Sequence, residues 1–206
     1  MNFAVLASGN GTNLQAIIKA IKAKQIKASL KVVLSDKSGA FALERARKAG
    51  VPCVVNLAPE QYLTREAFDQ AMLDVLKKEE IDFVVLAGYM RILSPLFIEA
   101  YRHKILNIHP SLLPAFKGSH AIKDAFQFGV KVTGVTVHFV DEQVDHGVII
   151  AQSAVEIGPN DTFDMLVEKV HEAEHKLYPY AINLFIRGKI KAPVVKAVPP
   201  VTGQHR

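Results

Sequence analysis

The chain has a single cysteine, Cys53, which excludes an internal disulfide framework and any thiolate metal cage built by one copy. Within "VPCVVN" it reads as a small buried hydrophobe. No apolar stretch reaches the length of a membrane span, and the opening "MNFAVLASGNG" has neither a basic leader nor a small-residue cleavage pattern. The chain therefore reads as cytoplasmic, with no membrane partner. A basic arm interleaved with aromatics is also lacking. The formal net charge of +5 favours anionic ligands, but lysines scattered as in "IKAIKAKQIKASLK" belong to a solvated helix face, which argues against nucleic acid. Repeats and low-complexity segments are absent as well.

What is present is apolar content, 50% of 206 residues, enough to bury a substantial core in one domain. The first half alternates β-branched apolar runs ("FAVLAS", "LKVVLS", "VPCVVN", "IDFVVLAG") with segments of helical period, the pattern of βαβ units. Helices are expected from Asn13 to about Lys24, Ala40 to Ala49 and Thr64 to Glu80. The runs are continuous rather than alternating, as for strands covered on both faces, so the fold class is α/β with a doubly wound, mostly parallel sheet. After a short helix near Ser94 to Tyr101, the strand "KILNIH" and a helix near Ala121 to Gly129, "KVTGVTVHFV" and "GVIIAQSAVEI" flank "DEQVDH" as an antiparallel addition near the C-terminal edge. A last helix spans about Thr162 to Arg187, capped by Asp161 or Asn160, with a kink or break at Pro179. The expected domain is 1–188, in halves of about 1–100 and 101–188, followed by a Pro-punctuated extension over 189–206.

"FAVLASGNGTNLQAII" is a strand, a Gly-rich turn and an amphipathic helix in succession. Gly9 and Gly11 let backbone N–H groups approach a ligand, and the helix N-terminus favours an anion. Leu14 stands where a dinucleotide fingerprint needs glycine, and the P-loop lysine is missing, although Asp36 after "VVLS" keeps an NAD reading open. A phosphomonoester, with Thr12 and Asn13 adding side-chain hydrogen bonds, fits better; the competing reading is a capped glycine turn with no ligand.

In "ILNIHPSLLPAFKG" period-two alternation puts Asn107 and His109 on one face of a strand, and Pro110 ends the ladder just beyond them. Ligands in open parallel sheets bind at the strands' carboxyl ends. Asp145, in the loop "DEQVDHG", is a candidate to hold one ring nitrogen of His109. Ser111, in the turn after Pro110, reads as structural. "HEAEH" at His171 to His175 matches the zinc-protease pattern H-E-x-x-H, but its third ligand is unidentified and its helix is rich in Lys and Glu, so no metal is expected.

Taken together, "SGNGTNLQAI", "NIHPSLLPAFKG" and "HFVDEQVDHG" resemble the glycinamide ribonucleotide formyltransferase family, from Asn2 to about Gly188. The resemblance implies a Rossmann-like formyltransferase fold and transfer of a formyl group from 10-formyltetrahydrofolate to the amine of glycinamide ribonucleotide in purine biosynthesis. It implies catalytic roles for Asn107, His109 and Asp145. It further implies phosphate binding by Gly11, Thr12 and Asn13, ribose binding by Glu174, and a folate pocket in the second half of the domain. Arg65, Met90, Arg91, Ile92, Leu93, Asp141, Glu142, Gln143 and Val144 would line that pocket. Two positions differ from the family's commoner pattern: Thr12 replaces Ser, and "DHGVI" replaces a small residue and proline around the glycine. Related activities resemble parts of the same motifs. Formyltetrahydrofolate hydrolase normally carries an extra regulatory domain, and methionyl-tRNA formyltransferase another C-terminal domain and a basic RNA surface. A non-catalytic phosphate- or nucleotide-binding module is the reading of another class. Both a monomer and a homodimer are compatible with the sequence.

An amine with a pKa of about 8 is roughly one-tenth free base near neutrality, so attack needs no strong general base. The expected division of labour is oxyanion stabilisation by Asn107 and cationic His109, with Asp145 supporting His109 and relaying protons to the leaving nitrogen. No serine or cysteine is placed for a covalent intermediate, so direct transfer is expected.

Overall fold

The structure is a computed structural model that describes residues 1–190; the expected extension lies mostly outside the described residues. The chain runs β1 (Asn2–Leu6), α1 (Thr12–Lys22), β2 (Ser29–Ser35), α2 (Phe41–Lys48), β3 (Cys53–Asn56), α3 (Arg65–Lys78) and β4 (Phe83–Leu86). It continues through α4 (Pro95–Ala100), β5 (Ile105–His109), α5 (Ala121–Phe128), β6 (Val132–Phe139), β7 (Ile149–Glu156) and α6 (Phe163–Ile186). The strands form one seven-stranded sheet in the order β3-β2-β1-β4-β5-β6-β7. Pairings among β1 to β5 are parallel, whereas β5–β6 and β6–β7 are antiparallel, so β6 alone runs against the others. That is the doubly wound α/β sheet expected, with its antiparallel strand near the C-terminal edge.

Both faces of the sheet are covered, which explains why its strands read as unbroken apolar runs. Phe3, Val5, Phe83, Val85, Leu106 and Ile108 pack on one side with α1, α2 and α6. Ala4, Leu6, Val84, Leu86 and Ile105 pack on the other with Phe68, Met72 and Leu76 of α3 and Phe97 and Ile98 of α4. Asn107 and His109 follow Ile105 at period two, so they lie on the α3/α4 face, farther toward the strand's carboxyl end. Cys53 is only half-buried, because β3 is an edge strand and packs against that second core from its margin.

The last helix departs from expectation at two points. Its N-cap is Thr162, whose hydroxyl accepts from the N–H of Met165 at 3.2 Å, while Asp161 instead accepts from the N–H of Gly158 at 2.7 Å and pairs with Lys169. A carboxylate already claimed by the preceding turn is not available to cap. Nor does Pro179 break the helix, which is continuous from Phe163 to Ile186. Leu177, Tyr178, Pro179, Ala181 and Ile182 are all buried, so tertiary packing offsets the backbone hydrogen bond that proline cannot make.

Two contacts fix α6 to the parts of the sheet that matter for function. The hydroxyl of the fully buried Tyr178 reaches the carbonyls of Leu86 (2.7 Å) and Leu106 (3.0 Å), bridging the neighbouring strands β4 and β5; burial pushes its phenol well above the usual range. At the other contact, Glu174 accepts from Asn13 Nδ2 (3.1 Å) and from His171 Nδ1 (2.9 Å), tying α6 to the start of α1. The Glu174 hydrogen bond raises the pKa of His171 above the ordinary histidine value, against a smaller opposing effect of burial.

Two outcomes follow. Tyr178→Phe removes a proton that two buried carbonyls share and is expected to cost on the order of 1–3 kcal/mol, read as a lower denaturant midpoint at unchanged slope. His171 is raised on folding, so its charge stabilises the fold fully below the unfolded value of about 6.5, and that contribution disappears as pH climbs through the folded value. Compared with His171→Gln, the wild type should hold an advantage at pH 5.5 that vanishes by pH 8.5. With the ring half-exposed, solvent screening keeps this below about 1 kcal/mol.

Candidate active site

Antiparallel pairing sets Asn107 opposite His138 and His109 opposite Thr136. In β6, Thr136 and His138 alternate with Val135 and Val137, which belong to the α6-side core. The polar residues of both strands therefore share the other face, forming a ladder two strands wide. His138 was not among the residues singled out from sequence. Its signal was there, in the alternation of "VTVHF", the same period-two pattern that marks Asn107 and His109.

Hydrogen-bond accounting fixes the ladder. His138 Nδ1 lies 2.8 Å from the carbonyl oxygen of Phe139, which can only accept, so the proton sits on Nδ1. Nε2 is then free to accept from the side-chain amide of Asn107 at 3.1 Å. Burial lowers the pKa of His138, outweighing the Phe139 carbonyl and the Asp145 carboxylate that favour protonation, and this keeps the ring a neutral acceptor. Asp145 Oδ1 is 3.7 Å from Nε2, too far for a hydrogen bond. The consequence is an oriented Asn107: one N–H is committed to His138, leaving the other N–H and the amide oxygen uncommitted.

His109 is 4% exposed and held from both sides. Its Nε2 donates to the carbonyl of Phe116 at 2.8 Å, and Nδ1 faces Asp145 Oδ2 at 3.4 Å. Both nitrogens thus face acceptors. The same Oδ2 accepts the N–H of Gly118 at 2.8 Å, so Asp145 joins the loop after β5 to the loop between β6 and β7. Asp145 adopts φ 49°, the left-handed region in which short polar side chains are better tolerated than bulky ones. Two residues on, the chain passes so close to β6 that a Cβ at Gly147 would run into the carbonyl of Phe139. Ser111 is structural: its hydroxyl donates to the carbonyl of Ala115 at 2.5 Å, and its own carbonyl accepts from Thr136 at 2.7 Å.

A cavity of about 430 Å³ opens over this ladder, within the range of small-molecule sites. Met90 to Leu93 form one wall and Asp141 to Asp145 the other, with Asn107, His109 and His138 on the floor. Arg65 is not among its lining residues. It begins α3 and pairs with Glu66 at 3.6 Å. His146, next to the catalytic candidate Asp145, turns outward and pairs with Asp141 at 2.9 Å.

The glycine turn adjoins this cavity through a shared segment. The Ser8 N–H donates to the carbonyl of Gly88 at 3.0 Å, and the Ser8 hydroxyl accepts from the N–H of Met90 at 2.9 Å. Gly11 is left-handed, Thr12 opens α1, and Asn13 is buried against Glu174 with its Oδ1 lacking a protein partner. In "HEAEH", the rings of His171 and His175 stack with centroids 6.4 Å apart, and Glu174 turns to Asn13. Among the described residues, no cluster of three metal-ligating side chains includes them.

Comparison with known proteins gives the family to which the chain belongs. Residues 1–182 match the formyl transferase family. The phosphoribosylglycinamide formyltransferase of Bacillus subtilis is 46% identical over 181 residues, covering 88% of this chain and 92% of that protein. A crystal structure of glycinamide ribonucleotide transformylase 1 from Symbiobacterium toebii superposes with a TM-score of 0.91 at 45% identity, over 94% of this chain and 91% of that one. The trifunctional purine biosynthetic protein adenosine-3 of Chironomus tentans is 48% identical over 91% of this chain, which spans only 14% of that longer protein. Identity at this level along most of both chains, on a fold that superposes this closely, makes the chain a member of the formyl transferase family, in its phosphoribosylglycinamide formyltransferase branch.

Proposed function

We propose that the protein transfers the formyl group of 10-formyltetrahydrofolate to the primary amine of glycinamide ribonucleotide, in the cytoplasm, by direct attack. The observation that carries this reading is the adjacency of an anion-type glycine turn to a cavity lined by Asn107, His109 and Asp145. The turn suits the substrate phosphate, with Gly11, Thr12 and Asn13 as its donors and Glu174 within reach of the ribose. The apolar side chains of Ile92, Leu93 and Val144, with polar groups at the rim, suit a flat folate head in the cavity. Arg65, away from the cavity lining, is left outside this assignment.

The amine lone pair attacks the formyl carbon, and the carbonyl electrons move onto oxygen. The N–H of Asn107 that His138 leaves free, together with His109 Nδ1–H, stabilises that oxyanion. Collapse of the intermediate re-forms the carbonyl and breaks the bond to the folate nitrogen. The proton lost by the attacking amine reaches that nitrogen through Asp145 and water. At 3.4 Å the carboxylate of Asp145 is no close hydrogen-bond partner of His109, so a proton on Nδ1 is not committed to it and can serve the oxyanion.

Hydrolysis by water would need no anion site beside the cavity, so the transferase reading accounts for more of the structure. Supplying 10-formyltetrahydrofolate with and without glycinamide ribonucleotide tests it directly. Deformylation that depends on the amine is expected; equal loss of the formyl group to water alone would sink the proposal. His109→Asn and Asp145→Asn should each lower kcat by roughly 100- to 10,000-fold with folate binding largely retained. His138→Phe keeps a ring in place but removes the acceptor that orients Asn107, and a kcat loss on the order of tenfold is expected in steady-state assays.

A further inference from the structure

We propose that Arg45, on α2, is a positioning residue that aims the glycine turn's amides at the substrate phosphate; this rests on the transferase reading above. The carbonyls of the turn, not its N–H groups, are what α2 holds. In a trans peptide the C=O and the following N–H point in opposite directions. A carbonyl held on one side therefore presents the next N–H on the other.

Helix α2 holds two successive carbonyls in this way. The Gly9 carbonyl accepts from the N–H of Ala42 at 3.1 Å, and the Asn10 carbonyl accepts from Arg45 Nε at 2.8 Å. The Asn10 and Gly11 amides are thereby turned away from α2. The third carbonyl, of Gly11, is taken by the N–H of Gln15 at 2.9 Å inside α1, leaving the first-turn amides of Thr12 and Asn13 without helical partners. The turn also fits tightly against α2. Gly11 sits at φ 68°, and a Cβ there would lie 2.8 Å from Ala42.

Arg45 does more than cap one carbonyl. Its Nη1 donates to Gln15 Oε1 at 3.1 Å, so one guanidinium joins the turn to the first turns of α1. The guanidinium carbon lies 4.8 Å from the centre of the Phe41 ring, which fixes the plane of the fork. Lysine keeps the charge but, as a point donor, cannot span both acceptors or stack in this way. Arg45 also borders a groove with Thr12, Lys19 and Lys176, where its charge adds to a field that favours an anion beside the turn.

Arg45→Met and Arg45→Lys, compared with wild type, test the proposal. In Arg45→Met the KM for glycinamide ribonucleotide should rise on the order of tenfold, while kcat at saturation and the KM for the folate stay within about twofold. Arg45→Lys should recover part of the loss. Inorganic phosphate, titrated calorimetrically without turnover, should bind Arg45→Met more weakly by a similar factor. Unchanged phosphate affinity and unchanged KM in Arg45→Met would overturn the role. So would a fall in kcat and thermal stability with both KM values raised together, which marks a merely structural residue. Because the phosphate titration needs no chemistry, weakened phosphate binding in Arg45→Met supports the role even if the wild type transfers no formyl group, and that second result would fall on the transferase reading alone.

Discussion

The reversal of β6 against β5 is the constraint on which the site depends. A parallel neighbour would arrive by a crossover from the far end of the sheet. An antiparallel one brings His138 directly opposite Asn107, and its outgoing loop returns to the carboxyl end of β5 carrying Asp145. The helical cover of that face, α3 and α4, packs on Ile105 rather than on the polar residues beyond it. There the floor becomes polar, and the walls are loops. The apolar core ends where the polar floor of the cavity begins, and both are written in one strand.

Burial then decides protonation. A neutral His138 is an acceptor for the Asn107 amide only because Phe139 holds the proton on its other nitrogen and the surroundings disfavour charge. His109 sits in the opposite setting, between a carbonyl and a carboxylate. Two histidines on neighbouring strands are thus given different surroundings by their neighbours alone.

Much of the architecture was legible in the sequence, because continuous apolar runs and helical period report burial on two faces. Asn107 and His109 were legible for the same reason: polar residues at period two in an apolar strand have few explanations. Asp145 was legible only in combination with them, since a loop acid carries no pattern of its own. His138 shows the same alternation as His109, yet "VTVHF" also contains threonines common in any strand, and only pairing across strands tells which neighbour it meets. The cap of α6 and the fate of Pro179 were not readable locally. Asp161 is claimed by the turn before it, and Pro179 is held by packing that involves residues far away in sequence. Arg65 stands in the first turn of α3 and does not itself line the cavity, so its part in the site is legible only through the family resemblance.

The loop between β6 and β7 divides sharply between fixed and free positions. Glu142, Gln143 and Val144 are exposed along the cavity wall, whereas Gly147 is buried where no side chain has room. Substitutions accumulating at the exposed three would reshape the pocket rim without moving the acid that follows them. The loop can accordingly vary along its rim while Gly147 keeps its return path pressed against β6.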